Sequence, residues 1–291
     1  MESPIPSLSV AIPDSSLIDS KSLLEKSLRV AQFARSFSIF RVETVYVYHD
    51  VSSSVRKDDL TLITLLLEYL DTPQYLRKLI YPKMKLLQYA GMLTPIQSPH
   101  HKKFIRASEV QGGETRVGVL MRDGGTWVVD VGLDRTIPFI GSAEIRRKAN
   151  FKLSVQKGHL VAEEIHGKVR DTQYWGYHIN CIQTLSEITK GHSDVKFLIT
   201  SRRGKPISLI HQSLANSFKD TSEVVVIFGS PRKDAREIVN KIDSNIVNSS
   251  LSVNMFPLQS TNSVRLEEAL LGSLAIINSL RVGLAVNRTI D

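Results

Sequence analysis

The sequence predicts an α/β protein built on a parallel sheet, with a small all-β module inserted in its middle. Two observations carry this expectation. Strand-like and helix-like runs alternate over 1–97 and again over 168–291, which favours a parallel sheet. Between them, 98–167 holds short alternating runs punctuated by Gly112-Gly113, Asp123-Gly124-Gly125 and Gly141. The expected organisation is thus a discontinuous α/β domain, 1–97 with 168–291, and an insert, 98–167.

The elements follow in order. Leu8–Ile12, closed by Pro13, reads as a short buried strand. Ser20–Phe37 places Leu23, Leu24, Leu28, Ala31 and Ala34 at helical spacing, with Lys26, Arg29 and Arg35 interspersed. Thr44–Tyr48 is β-branched and aromatic, a second strand. Leu60–Leu70 is a second helix. Thr72-Pro73 reads as an N-cap with proline at the first helical position, opening a third that ends near Gly91. In the insert, Arg116–Met121, Thr126–Val131 and Phe151–Val155 read as strands, and Asp-Gly-Gly between the first two is a hairpin signal. The module reads as a small barrel of OB type. After Lys168, Tyr174–Thr189 can form a helix and Val195–Ile199 a buried strand ending in Thr200–Gly204. Ile207–Phe218 is a helix, Val224–Phe228 a strand, Ala235–Val247 mixed helix and 252–256 a short strand. Leu266, Leu270, Leu274 and Ile277 line one face of the last helix.

Composition narrows the function. The chain has 291 residues, 42% of them apolar, enough for a packed core. Its net charge of +8 points to an anionic partner, nucleic acid first. A single cysteine, Cys181, excludes an internal disulfide and thiolate zinc sites, and fits a reducing cytoplasm. No apolar run reaches transmembrane length, so no membrane partner is expected. His100 and His101 are adjacent, but no carboxylate or cysteine cluster near them completes a metal set, so no metal is expected. His49, His178 and His211 read as structural. There is no G-x-S-x-G elbow for an acyl-transfer serine.

The chemistry concentrates at strand ends. In parallel α/β sheets, ligands bind beyond the carboxyl ends of strands. Thr200-Ser201-Arg202, Gly229-Ser230-Pro231 and Phe256-Pro257-Leu258-Gln259 could converge there, though each alone is also an ordinary βα loop. Neither G-x-G-x-x-G nor the P-loop pattern is present, so any nucleotide-like ligand is held by other means. Arg265, Glu267 and Glu268 open the last helix. Glutamates suit its positive end, whereas Arg265 opposes it and calls for an anionic partner. Arg35, Arg77, Arg202 and Arg232 are further candidates for phosphate contact. Around the insert, Lys102, Lys103 and Arg106, then Arg146, Arg147 and Lys148, suit either a grip on single-stranded nucleic acid or a solvated surface.

A set of motifs carries a resemblance. SLSVAIPDSSL, VAQFARSFSIFRVETVYVYHD, LEYLDTPQYLRKLIYP, YWGY, ITSRRGKPI and NMFPLQSTNSVRLEEAL occur in this order over nearly the whole chain. The combination resembles the SPOUT RNA methyltransferases, in particular the archaeal and eukaryotic group with an inserted OB-like domain. Ser260 stands where that family usually has glycine, and Thr115-Arg116-Val117-Gly118 replaces its usual Tyr-Arg-Glu-Gly. The resemblance implies a C-terminal trefoil knot, a homodimer, and S-adenosylmethionine held by backbone groups. It assigns cofactor contacts to Thr200, Ser201, Phe228, Gly229, Ser230, Asn254, Met255, Phe256, Pro257, Leu258, Thr261, Val264 and Ala269. It implies methylation of N3 of a uridine in large-subunit ribosomal RNA. Ribose 2′-O methylation and a non-catalytic RNA-binding assembly factor stand as alternatives.

For N3 methylation, the uridine proton must leave, so a base or a cation stabilising the uridine anion is needed. Arg202 and Arg265 are the candidates for the cation and Glu268 for the base. Arg35, Arg77, Lys102, Lys103, Arg106, Arg146 and Arg147 would bind RNA, with Phe104 or Trp127 as stacking candidates and core packing the favoured role for Trp127.

Overall fold

The computed structural model describes residues 5–53, 57–142, 148–165, 173–190 and 194–287. They form two compact units. The first comprises Met1–Glu68, Tyr89–Thr94 and Tyr177–Asp291; the second comprises Tyr69–Gln88 and Pro95–Gly176.

The chain opens with β1 (Ser7–Pro13), α1 (Leu23–Ile39), β2 (Thr44–Tyr48) and α2 (Lys57–Asp71). Ser22 caps α1 by accepting from Glu25 N at 3.1 Å, and Glu25 reaches back to Lys21 N at 3.0 Å. The cations that punctuate α1 are not solvated. Lys26 pairs with Asp59 of α2, and Arg29 pairs with Asp19 and, at 3.2 Å, with Glu267. After α2 comes α3 (Gln74–Ile80). The third helix therefore stops well short of Gly91, and Pro73 itself is its N-cap rather than Thr72. The reason is Pro82, which lacks an N–H and forces Tyr81 into extended backbone, with φ −114° and ψ 108°.

The second unit holds β3 (Thr115–Asp123), β4 (Thr126–Asp130), β5 (Ile137–Ile140), β6 (Ala149–Gln156) and β7 (His159–Glu164). They close into a barrel in the order β3-β4-β5-β7-β6. The Asp-Gly-Gly hairpin is present, with Gly124 and Gly125 at φ 54° and 85°. Val129, Val131, Ile137, Phe151, Leu153 and Ala162 fill the interior. Arg116 is 1% exposed, yet none of its hydrogen bonds is wasted. It donates to Val131 O at 2.8 Å, to Glu114 at 3.2 Å and to Lys103 O. Tyr75 of α3 packs on the same unit: its hydroxyl donates to Val117 O at 2.7 Å and its ring lies over Gly132.

The chain then returns to the first unit through β8 (His178–Ile182), β9 (Val195–Pro206), α4 (Ile207–Ser217), β10 (Glu223–Ile227), α5 (Ala235–Ile242), α6 (Ser244–Ser249), β11 (Leu251–Asn254) and α7 (Leu266–Asn287). The six-stranded sheet runs β11-β9-β10-β1-β2-β8 and every pairing is parallel. β1 lies inside it, with Leu8, Val10, Ala11 and Ile12 fully buried.

Three further expectations need correction. The expected helix over Tyr174–Thr189 is instead strand β8 followed by a 3-10 turn at Leu185–Glu187. Gly176, at φ 89°, breaks any helix there, and the open edge of β2 supplies a ladder for His178–Ile182. The mixed helix splits at Asp243, whose side chain caps α6 through Ile246 N. β9 does not end at Ile199 but continues as extended chain to Pro206.

A Cβ on Gly132, which sits at φ 74°, would lie 2.4 Å from the Tyr75 ring. Gly132→Ala therefore adds left-handed strain to overpacking, at about 3 kcal/mol together. Thermal denaturation should show a lowered Tm, and an unchanged Tm would contradict this packing.

Candidate active site

All strands of the sheet are parallel, so the chain segments after β1, β2, β9, β10 and β11 leave from one edge. Three of these segments carry the residues singled out from the sequence, and the structure ties them together.

The first is the stretch of β9 that follows Ile199. Between consecutive pairs Ser252↔Ile199 and Val253↔Lys205, Thr200–Gly204 is passed over and bulges out of the ladder. Thr200 Oγ1 donates to Ile227 O at 2.8 Å, and Ser201 Oγ donates to Asp234 Oδ2 at 2.7 Å. Gly204 is required by the close passage of β11, since a Cβ there would lie 2.6 Å from Val253 N. The second segment follows β10. Phe228 is buried, its N–H donates to Ala11 O at 2.9 Å, and its carbonyl accepts from Tyr48 Oη at 2.6 Å. At Gly229 a Cβ would meet Lys233 O at 2.4 Å. Ser230 N donates to Lys233 O at 3.0 Å and its Oγ accepts from Lys233 N at 3.1 Å, closing a tight loop onto α5.

The third segment follows β11. Asn254 Nδ2 donates to Arg202 O at 3.1 Å, and Asn254 Oδ1 accepts from Phe256 N at 3.0 Å. Met255 is buried, and the Phe256 ring packs where only Gly272 of α7 leaves room. Pro257 and Leu258 turn outward, Leu258 at φ 62° and 100% exposed. Gln259 Nε2 reaches Thr261 O at 2.9 Å. Thr261 is exposed, Val264 and Ala269 are half-buried, and Ala269 N donates to Arg265 O at 2.8 Å in the first turn of α7.

The proposed catalytic side chains have definite local tasks. Arg202 is exposed and donates to Asn262 O at 2.9 Å, so it props the third segment. Glu268 is exposed and accepts from Arg265 N at 2.9 Å through one carboxylate oxygen, the return half of a capping box. The Arg265 side chain is exposed. Glu267 joins the ion pair of Arg29.

Among the RNA candidates, Arg35, Lys103 and Arg106 are exposed. Lys102 pairs with Glu114 at 3.5 Å. Arg77 donates to Thr72 O at 2.9 Å and Leu70 O at 3.2 Å, and stacks 4.7 Å over Tyr69, so its guanidinium is committed to the fold. Arg146 and Arg147 lie outside the described residues. Phe104 is 62% exposed, whereas Trp127 packs against the barrel core with Arg122 over its ring at 4.7 Å. Arg232 is exposed.

His100 and His101 do have a carboxylate. Asp71 joins them, with candidate ligand atoms within 4.8 Å of one another. Some of those atoms are engaged, whereas, among the described residues, Asp71 Oδ1 lies 3.2 Å from His100 Nε2 without a hydrogen bond, and His100 Nδ1 is buried with no hydrogen-bond partner. Lys148 Nζ sits 2.7 Å from Asp71 Oδ2, and His101 sets Nε2 against Asp71 O at 2.9 Å and Nδ1 against Ile96 O at 2.6 Å. Burial first, then His100, holds the His101 pKa below its ordinary value.

Sequence reasoning missed a polar network that follows β1 and β2. Asp50 is fully buried and accepts from Ser15 Oγ at 2.7 Å, Ser52 N at 3.0 Å, Ser52 Oγ at 2.6 Å and Ser53 Oγ at 2.7 Å. Asp14 accepts from Asp50 N at 3.0 Å and meets His49 Nδ1 at 2.7 Å. Lys233 Nζ donates to Ser52 O, joining the network to the Gly229 loop. The available signal was position: Asp14-Ser15-Ser16 and His49-Asp50 directly follow strands whose carboxyl ends form a ligand edge.

Burial pushes the Asp50 carboxyl up, but the hydrogen bonds from Ser52, Ser53 and Ser15 outweigh it and leave the pKa lowered. A carboxyl lowered on folding stabilises above its unfolded pKa, and that stability is lost as pH falls through the carboxylate range. Asp50→Ala should cost about 3 kcal/mol at neutral pH, because three hydroxyls lose their acceptor. Urea unfolding at pH 7 and at about pH 2, below the ordinary carboxylate value, should show the variant's deficit shrinking at the lower pH; an equal deficit at both would contradict the ionised network.

Among known proteins, residues 7–277 match a family described as "Putative RNA methyltransferase". A human protein named 28S rRNA (uridine-N(3))-methyltransferase is 28% identical over 302 residues, covering 93% of this chain and 77% of that protein. A Drosophila melanogaster protein of the same name is 28% identical over 314 residues, covering 95% of this chain but only 63% of its own length. An uncharacterized protein of Haloarcula marismortui is 22% identical, covering 92% of this chain and 98% of its own.

Proposed function

This chain belongs to the RNA methyltransferase family matched over residues 7–277, and we propose that it methylates N3 of a uridine in large-subunit ribosomal RNA, with S-adenosylmethionine as methyl donor. The substrate follows the names of the human and Drosophila relatives. The observation that supports the site is the cross-linking of three strand-end segments at one sheet edge: Ser201 to Asp234, Asn254 to Arg202 O, and Arg202 to Asn262 O.

The residues there fit this donor. Thr200, Ser201, Ser230 and Asn254 offer polar groups beside apolar Met255, Phe256 and Val264, a mixture suited to an adenosine and an amino-acid tail. Thr200, Ser201, Phe228, Gly229, Ser230, 254–258, Thr261, Val264 and Ala269 would hold it. The bound donor supplies an electrophilic methyl group on a sulfonium. We read the segment after β10 as the core of a trefoil knot, because β11 comes to lie outside β9 instead of beside β10. The strand order of the barrel suits an OB-type module, and exposed Phe104, Lys103 and Arg106 suit a grip on unpaired RNA. A base-paired uridine hides N3, so the target must be unpaired or flipped.

Leu28 of α1, Leu209 of α4 and Leu271 of α7 are exposed apolar residues, and we place a second copy of the chain on them. Cys181 is an exposed free thiol, which suits a reducing compartment such as the cytoplasm.

Nucleoside mass spectrometry of ribosomal RNA treated with the protein and S-adenosylmethionine tests the reaction. The expected product is N3-methyluridine. Methyl on the ribose would favour 2′-O transfer, and no methylation with RNA binding intact would favour an assembly factor. Arg265→Ala should lower kcat by about 10²-fold or more, the scale for removing one charge stabiliser. Its affinity for S-adenosylmethionine should stay within about threefold, measured by calorimetry. Full turnover in that variant would remove Arg265 from the reaction.

A further inference from the structure

Methyl transfer to uracil N3 releases a proton, and Glu268 at the start of α7 has one oxygen held by Arg265 N and, among the described residues, no buried group that orients it toward a substrate. We propose that the proton acceptor is His49, oriented by Asp14. This rests on the reading of the chain as a uridine-N3 methyltransferase.

His49 directly follows β2 and Asp14 directly follows β1, so both stand at the same carboxyl edge as the three segments above. His49 Nδ1 is 2.7 Å from Asp14 Oδ2. A carboxylate only accepts, so Nδ1 carries the hydrogen, and in the neutral ring Nε2 is the nitrogen with the free lone pair. The Asp14 side chain is 7% exposed and that of His49 is 41% exposed: a buried orienter behind an open imidazole. Asp14 is fixed by Asp50 N at 3.0 Å, and the His49 backbone by its N–H to Ile182 O at 3.2 Å. Two hydrogen bonds join this corner to the Gly229 loop, Tyr48 Oη to Phe228 O and Lys233 Nζ to Ser52 O. The charged and titratable groups of this corner include Tyr48 on β2, Asp14 and Asp50 just after β1 and β2, Glu68 of α2, Cys181 on β8, and Lys233 and Asp234 after β10.

In the step, the N3–H bond breaks and its proton passes to His49 Nε2. The N3 electron pair forms the bond to the methyl carbon, and sulfur keeps the pair of the broken carbon–sulfur bond. The imidazolium that results faces the Asp14 carboxylate, which stabilises its charge.

The experiment uses the full chain with wild-type, His49→Gln and Asp14→Asn proteins. Methyl transfer to a uridine-containing RNA is followed against pH, S-adenosylmethionine affinity by calorimetry, and the imidazole nitrogens by 15N NMR. His49→Gln should lower kcat by about 10²-fold or more and abolish the acid limb of the pH profile, with donor affinity unchanged. In the free wild-type protein, NMR should place the His49 proton on Nδ1, and Asp14→Asn should remove that preference while lowering kcat less. Wild-type kcat and an intact acid limb in His49→Gln would overturn the proposal and leave the methyltransferase reading standing. Loss of donor binding in step with kcat would reduce the pair to a structural role. If wild type forms no N3-methyluridine, the underlying reading fails and takes this assignment with it.

Discussion

The candidate site depends on how closely β11 passes β9. The two strands pair at Leu198 and Ile199, lose register, and pair again at Lys205 and Pro206. That break expels Thr200–Gly204 from the ladder and presents Ser201 and Arg202 at the carboxyl edge. Gly204 makes the passage possible, because any side chain there would strike the backbone of Ser252 and Val253. Once β11 is seated, Asn254 reaches the Arg202 carbonyl and Arg202 reaches Asn262, so these two hydrogen bonds tie strand pairing to loop geometry.

Buried polar groups do the rest of the positioning. Ser201 shares Asp234 with the N-cap of α5, and Tyr48 ties β2 to the carbonyl of Phe228. Burial first, then the nearby Asp50, Asp14 and Asp234, drive the Tyr48 pKa well upward, which keeps its hydroxyl protonated as a donor. A site whose donors and acceptors are already oriented has less to rearrange when a ligand arrives. The overall charge of +8 then serves association with RNA, while the charges inside the first unit serve its architecture.

Local signals in the sequence were read well where local physics decides. The run TVYVY is a strand over the same residues, the Asp-Gly-Gly hairpin forms, and Leu266, Leu270, Leu274 and Ile277 share a buried face. Errors arose where distant residues decide. His178–Ile182 is a strand because β2 has a free edge, a fact that no window around His178 contains. Asp71, at the end of α2, completes a cluster with His100 and His101 of a distant loop. The Asp14–His49 pair, 35 residues apart in sequence, became visible only when β1 and β2 lay side by side.

The central claim is that the three strand-end segments act together as the holder of the methyl donor. Hydrogen exchange with and without S-adenosylmethionine tests it directly. The account predicts slowed exchange over 200–204, 228–234 and 254–265 together. Protection confined to other parts of the chain, or none at saturating donor, would contradict it.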